Sequence, residues 1–206
     1  MTRLSPTARR EEIVAAALRV ASVKGLANTT VRDVAAEMGT SSGLIHHYFA
    51  SMDDVLAAAF DEAAGADLAA TTAEMSACAG PIDRLSTFFS SYIRTEDYRG
   101  FQMWLDAWAE ASRRPALAAT SLRLNVAWQR LIATTVADGV AEGVLVCDDP
   151  DATAWRVLSL LDGLSLQVAA HPGLLDQSTV ADWAMASLET EIGLPRRSLR
   201  RPPSKR

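Results

Sequence analysis

The sequence predicts an all-α protein: a three-helix head that contains a helix-turn-helix, followed by a larger helical body, about nine helices in all. Three observations predict it. Ala, Leu, Glu and Arg dominate, all strong helix formers. Apolar residues recur at helical spacing along nearly the whole chain. No Asn-Gly or Asp-Gly dipeptide sits between alternating apolar segments, so hairpin signals are lacking.

The elements follow in order. Ser5 is placed as an N-cap with Pro6 at the first helical position, and Ile13, Val14, Ala17, Leu18 and Ala21 form the apolar stripe of the first helix. Gly25 is placed to end it with a positive φ. A second, short helix opens on a capping box at Thr30-Val31-Arg32-Asp33, with Asp in the place of Glu, and stops at Met38-Gly39. A third spans Ser41 or Ser42 to Tyr48. The fourth starts at Ser51 with Asp54 three residues on, and Ala-rich sequence carries it to Ser76 before Gly80-Pro81 breaks it. Five more helices are expected over 82–95, 98–113, 115–141, 150–170 and 179–192, separated at Gly100, Pro115, Gly143 and His171-Pro172-Gly173. The expected domains are 1–50 (head), 51–194 (body) and 195–206, a basic, Pro-rich tail read as disordered.

Charge sharpens this division. The 206-residue chain has a net charge of -5, which by itself argues against a nucleic-acid partner. Residues 1–49, however, carry six Lys+Arg against four Asp+Glu, and 196–206 carry six against none. The acidity belongs to the middle. Cys78 and Cys147 sit in no metal-ligand or disulfide spacing, so no metal and no cofactor is expected. The polar start shows no signal peptide, and no apolar run is long enough for a membrane span, so a cytoplasmic protein with no membrane partner is expected. No nucleophile constellation, phosphate loop or HExxH motif appears, and an enzyme is not expected.

Residues 31–49 read VRDVAAEMGTSSGLIHHYF. Two short helices meet at Gly39, Ala35 is small where they cross, and Val31, Val34, Met38, Ile45 and Tyr48 are spaced as a shared core. A DNA-binding helix-turn-helix has this geometry, and so does a plain αα-hairpin. The longer stretch TTVRDVAAEMGTSSGLIHHYFASMDDVLAAAF resembles the N-terminal domain of the TetR family of transcriptional regulators. That pattern has a Thr-rich start, an I/V-A pair, a Gly-Val-Ser turn, aromatics before Phe and a capped fourth helix. RPALAATSLRLNVAWQRL and DPDATAWRVLSLLDGLSLQVAA are similar to the C-terminal domain of its BetI-type branch, whose members are often repressors answering to small metabolites.

The resemblance implies a role for each matching residue. Thr29 and Thr30 match positions that meet the phosphate backbone at a helix N-terminus. Ser41, Ser42, Gly43, Leu44 and His46 match positions facing base edges, where Leu44 suits a thymine methyl and His46 a guanine acceptor. Tyr48 matches a phosphate-contacting aromatic, a partly buried role being equally compatible, and His47 is expected near the backbone. Two departures weaken the electrostatics: the recognition helix has no Lys or Arg, and Met52 stands where a Lys is common. Arg9, Arg10 and Arg32 are expected to compensate. Adjacent His46 and His47 face different sides of a helix, which argues against a metal pair.

The body raises two further expectations. AWRVLSLLDGLSLQVAA is apolar nearly all round, and with the last helix it implies a homodimer through Trp155, Leu158, Asp162, Leu166, Trp183 and Leu188, the alternative being a wholly intrachain core. Phe88, Tyr92, Phe101, Trp104, Trp108, Trp128 and Trp155 form either ordinary core or the wall of an inducer pocket. Gln102, Asp106 and Glu110 are candidate polar groups for it, with a solvated face the equal alternative for Asp106 and Glu110, and a cationic ligand would suit Trp faces and carboxylates. The expected function is a ligand-responsive regulator, a repressor released from a palindromic DNA operator by a small-molecule inducer. The alternative is a constitutive or activating regulator without ligand response.

Overall fold

A computed structural model describes residues 5–94 and 99–200. Among these, nine helices are present: α1 (Pro6–Lys24), α2 (Val31–Glu37), α3 (Ser42–Tyr48), α4 (Met52–Ser76), α5 (Pro81–Arg94), α6 (Arg99–Glu110), α7 (Pro115–Ala141), α8 (Pro150–Ala170) and α9 (Gln177–Glu191). The all-α expectation holds, and most boundaries fall within two residues of those expected. The earlier start of α9 and the one larger difference, the end of α6, lie beside local side-chain bonds. Asp176 accepts the Thr179 N–H at 2.7 Å and so starts α9 at Gln177. α6 stops at Glu110, whose carboxylate is taken by Arg113 and Arg114 in the following turn.

The chain divides into two compact units, 1–67 with 99–124, and 68–98 with 125–206. The first unit thus groups α6 and the start of α7 with the helix-turn-helix. In the first unit, Ile13, Val14 and Ala17 of α1 close on Val34, Ala35, Ile45 and Phe49 and on Val55 and Ala59 of α4. Val31, Met38 and Tyr48 pack at the edge of this core, completing the shared core expected from spacing. α6 belongs to this same unit. Asp53 of α4 supplies the α7 N-terminus with a carboxylate, accepting Ala116 N–H at 2.9 Å and Leu117 N–H at 3.2 Å.

In the second unit, α8 packs on α9 and α5 on α9. Their core joins Leu85, Phe88 and Phe89 to Ile132, Val136, Leu161, Ala184 and Leu188. The disordered tail needs correction over 195–200. Leu199 is buried in this core, and both oxygens of the buried Glu189 carboxylate accept backbone N–H groups, from Arg197 at 2.8 Å and Leu199 at 2.9 Å. Arg200 reaches Asp182 at 2.5 Å. Composition pointed to disorder, but one apolar residue and one buried carboxylate anchor the segment. The rest of the tail, 201–206, lies outside the described residues.

Candidate nucleic-acid interface

The head is assembled by backbone chemistry. Ser5 accepts the Ala8 N–H at 3.1 Å and starts α1. Thr30 and Asp33 form a complete capping box at the start of α2, with Thr30 N donating to Asp33 Oδ2 at 3.1 Å. Lys24 bonds the same carboxylate at 2.5 Å, and with Thr30 it draws the Asp33 carboxyl down to about 2. Gly39 joins α2 to α3 at φ +63°, a conformation a side chain resists. Ser41 sits at the N-cap of α3 in extended backbone.

The side chains expected to meet DNA sort into two groups. Ser41, Gly43, His46 and His47 are exposed on α3 or its cap, and Ser42, Leu44 and Tyr48 are half-buried beside them. Thr30 and Arg32 are exposed at the start of α2. Thr29 is the exception. It is 2% exposed and donates its hydroxyl to Gly25 O at 2.8 Å, so it braces the corner between α1 and α2 instead of facing outward. The His47 ring stands edge-on to Tyr48 at 5.0 Å, and no cluster of three metal-ligating side chains occurs among the described residues.

The cations are mostly committed. Arg10 lies over the Phe49 ring at 3.9 Å and donates to Tyr48 O at 3.0 Å. Arg9 pairs with Glu12, Arg19 with Glu37 and Lys24 with Asp33. Of the three arginines expected to compensate for the neutral recognition helix, Arg9 and Arg10 are thus engaged within the head. Arg32 has no acidic partner among the described residues and is the head's open positive charge.

The aromatic residues expected in one pocket are divided between the units. Phe101, Trp104 and Trp108 lie on α6 in the first, where Trp104 stands edge-on to Phe60 at 4.9 Å and 5.4 Å from Trp108. Phe88, Tyr92 and Trp128 line the core of the second, with Phe88 6.1 Å from Trp128. Trp155 departs from both sets, standing 39% exposed on α8. The polar groups expected beside a ligand are also engaged: Asp106 accepts Leu26 N–H at 2.9 Å and Gln102 Nε2 at 3.0 Å, and Glu110 pairs with Arg113 and Arg114. Of the six residues expected at a dimer seam, Leu158 and Leu188 turn inward to the core, because α8 and α9 bury those faces on each other. Trp155, Leu166 and Trp183 are exposed, and Asp162 is half-buried beside them. Asp53, Asp106 and Glu189 escaped the sequence reading in these roles, since their partners lie on backbone amides that no side-chain pattern marks.

A capped helix pair with an exposed second helix, set on an all-helical scaffold, defines a helix-turn-helix DNA-binding regulator. Residues 13–59 match the model of bacterial regulatory proteins of the tetR family, and residues 81–193 match that of the BetI-type transcriptional repressor C-terminal domain. The chain is 29% identical over 161 residues to the HTH-type transcriptional regulator BetI of Rhizobium meliloti (strain 1021), covering 77% of each. It is 29% identical over 164 residues to BetI of Paraburkholderia phymatum, covering 78% of this chain and 81% of that one. A transcriptional regulator from Saccharomonospora viridis, solved in complex with choline, superposes with a TM-score of 0.80 at 26% identity, over 90% of this chain and 98% of that one. The chain belongs to the TetR family and has a C-terminal domain of the BetI type. It is a transcriptional regulator and not an enzyme. Among the described residues, no helix is long and apolar enough to cross a membrane.

Proposed function

We propose that this regulator is a homodimeric repressor that leaves a palindromic operator when it binds a small cationic molecule of the choline kind. The observation that carries the ligand response is the aromatic cluster on α6. Phe101, Trp104 and Trp108 gather at ring distances of 5.4 and 6.1 Å within the unit that holds the helix-turn-helix. Aromatic faces attract quaternary ammonium groups. The choline bound by the Saccharomonospora viridis protein, which shares 26% of its residues with this chain, supports that ligand class.

Dimerisation is supported by the exposure of Trp155, Leu166 and Trp183, at 39%, 44% and 53%, along α8 and α9. A two-fold dimer presents two recognition helices about one DNA turn apart, roughly 34 Å, and reads a palindrome. α4 runs from residue 52 to 76, and residues 52–67 belong to the head's unit. Ligand binding that favours another setting of this helix would alter the spacing of the two heads and release the operator.

The test is fluorescence anisotropy on DNA from upstream of the regulator's own gene, with and without choline. The expected outcome is a lower operator affinity with choline and, by linkage, a lower choline affinity with operator by the same factor. A constitutive regulator is the second reading, favoured by the edge-on packing of Trp104 against the buried Phe60, which resembles a filled core. It predicts the same operator affinity at every choline concentration.

A further inference from the structure

We propose that Asp106 is a positioning residue for DNA binding: from α6 it holds the corner between α1 and α2 that sets the N-terminus of α2. The ligand-coupling part of this proposal rests on the α6 reading above, whereas the positioning part does not.

The corner spans residues 25–29. Most of its hydrogen bonds are local: Gly25 N–H to Ala21 O, Asn28 Nδ2 to Lys24 O, Thr29 N–H to Leu26 O, and Thr29 Oγ1 to Gly25 O. The tie to a distant element is Asp106 Oδ2, which accepts the Leu26 N–H at 2.9 Å across 80 residues of sequence. Leu26 is 1% exposed, so this amide has no access to water as a substitute. Gln102 Nε2 holds the other carboxylate oxygen at 3.0 Å and fixes the orientation of the group.

Gly25 shows how close the fit is. Its φ is +79°, and a Cβ there would stand 2.8 Å from Asp106 Oδ2. Glycine is therefore required twice, by the backbone angle and by the approach of the carboxylate. From the corner the chain enters Thr30, the N-cap of α2, and Arg32, the open cation of the head. Whatever holds Leu26 in place therefore sets where α2 begins.

The position of Asp106 on its helix makes the tie responsive. At 100° per residue, Phe101, Trp104 and Trp108 lie along one side of α6, and Gln102, Asp106 and Glu110 along the opposite side. A helix moves as a rod. A ligand that packs on the aromatic side displaces the carboxylate side by the same amount. Hydrogen bonds beyond about 3.5 Å are effectively lost, so a shift of about 1 Å in α6 breaks the tie or drags the corner with it. Helix shifts of ~1–2 Å are a common scale of switching.

The experiment compares Asp106→Ala and Asp106→Asn with wild type, for operator affinity by anisotropy, with and without choline, and for folding by thermal melts. Asn keeps an oxygen for Leu26 N–H, and the Gln102 amide can turn to pair with its nitrogen. The expected result is a loss of operator affinity of about tenfold in Asp106→Ala and near-complete rescue in Asp106→Asn. Choline binding, measured by calorimetry, is retained in both, but its effect on operator affinity disappears only in the Ala variant. A folded Asp106→Ala protein with wild-type operator affinity overturns the proposal, and so does an Asn variant as weak as Ala. If wild type ignores choline, the ligand reading fails and Asp106 is judged on operator affinity alone. If Asp106→Ala does not fold, Gln102→Ala serves, with an expected loss of about threefold. Unchanged affinity in that variant overturns the proposal.

Discussion

Arg32 and His46 are expected to carry different parts of recognition, and substitution separates them. Arg32 is exposed without an acidic partner among the described residues, while Arg9, Arg10, Arg19 and Lys24 are held by neighbours. Arg32→Ala is expected to weaken binding to all DNA sequences and to lower the salt slope by about 1, read from affinities at several salt concentrations. His46 is exposed on α3, and His46→Ala is expected to narrow the gap between operator and scrambled DNA by about 1–3 kcal/mol. An Arg32 variant selective against one base, or a His46 variant with unchanged discrimination, would reverse these roles. Thr29 shows the limit of motif transfer at this scale. Its neighbour Thr30 is exposed, yet Thr29 itself is turned into the corner, where its hydroxyl donates to Gly25 O.

The helices were nearly all legible in the sequence, down to the caps at Ser5 and Thr30. Local hydrogen bonds set these ends, and local patterns record them. The C-terminal segment was not legible. PRRSLRRPPSKR has the composition of a solvated tail, but Leu199 and Glu189 dock its first half on α9. Glu189 is 2% exposed and holds two backbone amides, so Glu189→Ala leaves both without an acceptor. A destabilisation of about 2–3 kcal/mol is expected, visible as a lower Tm. An unchanged Tm would mean that the segment contributes nothing to the fold.

At the scale of the whole molecule, the packing gathers α6 into one unit with the helix-turn-helix, a grouping that sequence order alone does not show. Asp162 tests the state of the second unit. Burial lifts its carboxyl from 3.8 to about 7. Between those values the folded protein binds more protons than the unfolded chain, so stability falls as pH rises through this window and levels off above it. Asp162→Asn is expected to abolish that fall, adding about 4 kcal/mol at pH 8 and little at pH 4. Thermal melts at the two pH values check it, and a parallel pH profile in the variant would show a solvated carboxyl in the wild type.

The sequence by itself determined the helices, the helix-turn-helix and the family, because periodicity, caps and turn glycines act over a few residues. It also placed the acidity in the middle of the chain and left both ends net positive. Only the tertiary structure decided which of these charges are available and which elements form one unit. Pairing of Arg9, Arg10 and Lys24, the inward turn of Thr29, and the reach of Asp106 to Leu26 depend on groups brought together in space. A buried amide takes its acceptor from whatever element packs beside it, and in the case of Leu26 that element lies 80 residues away.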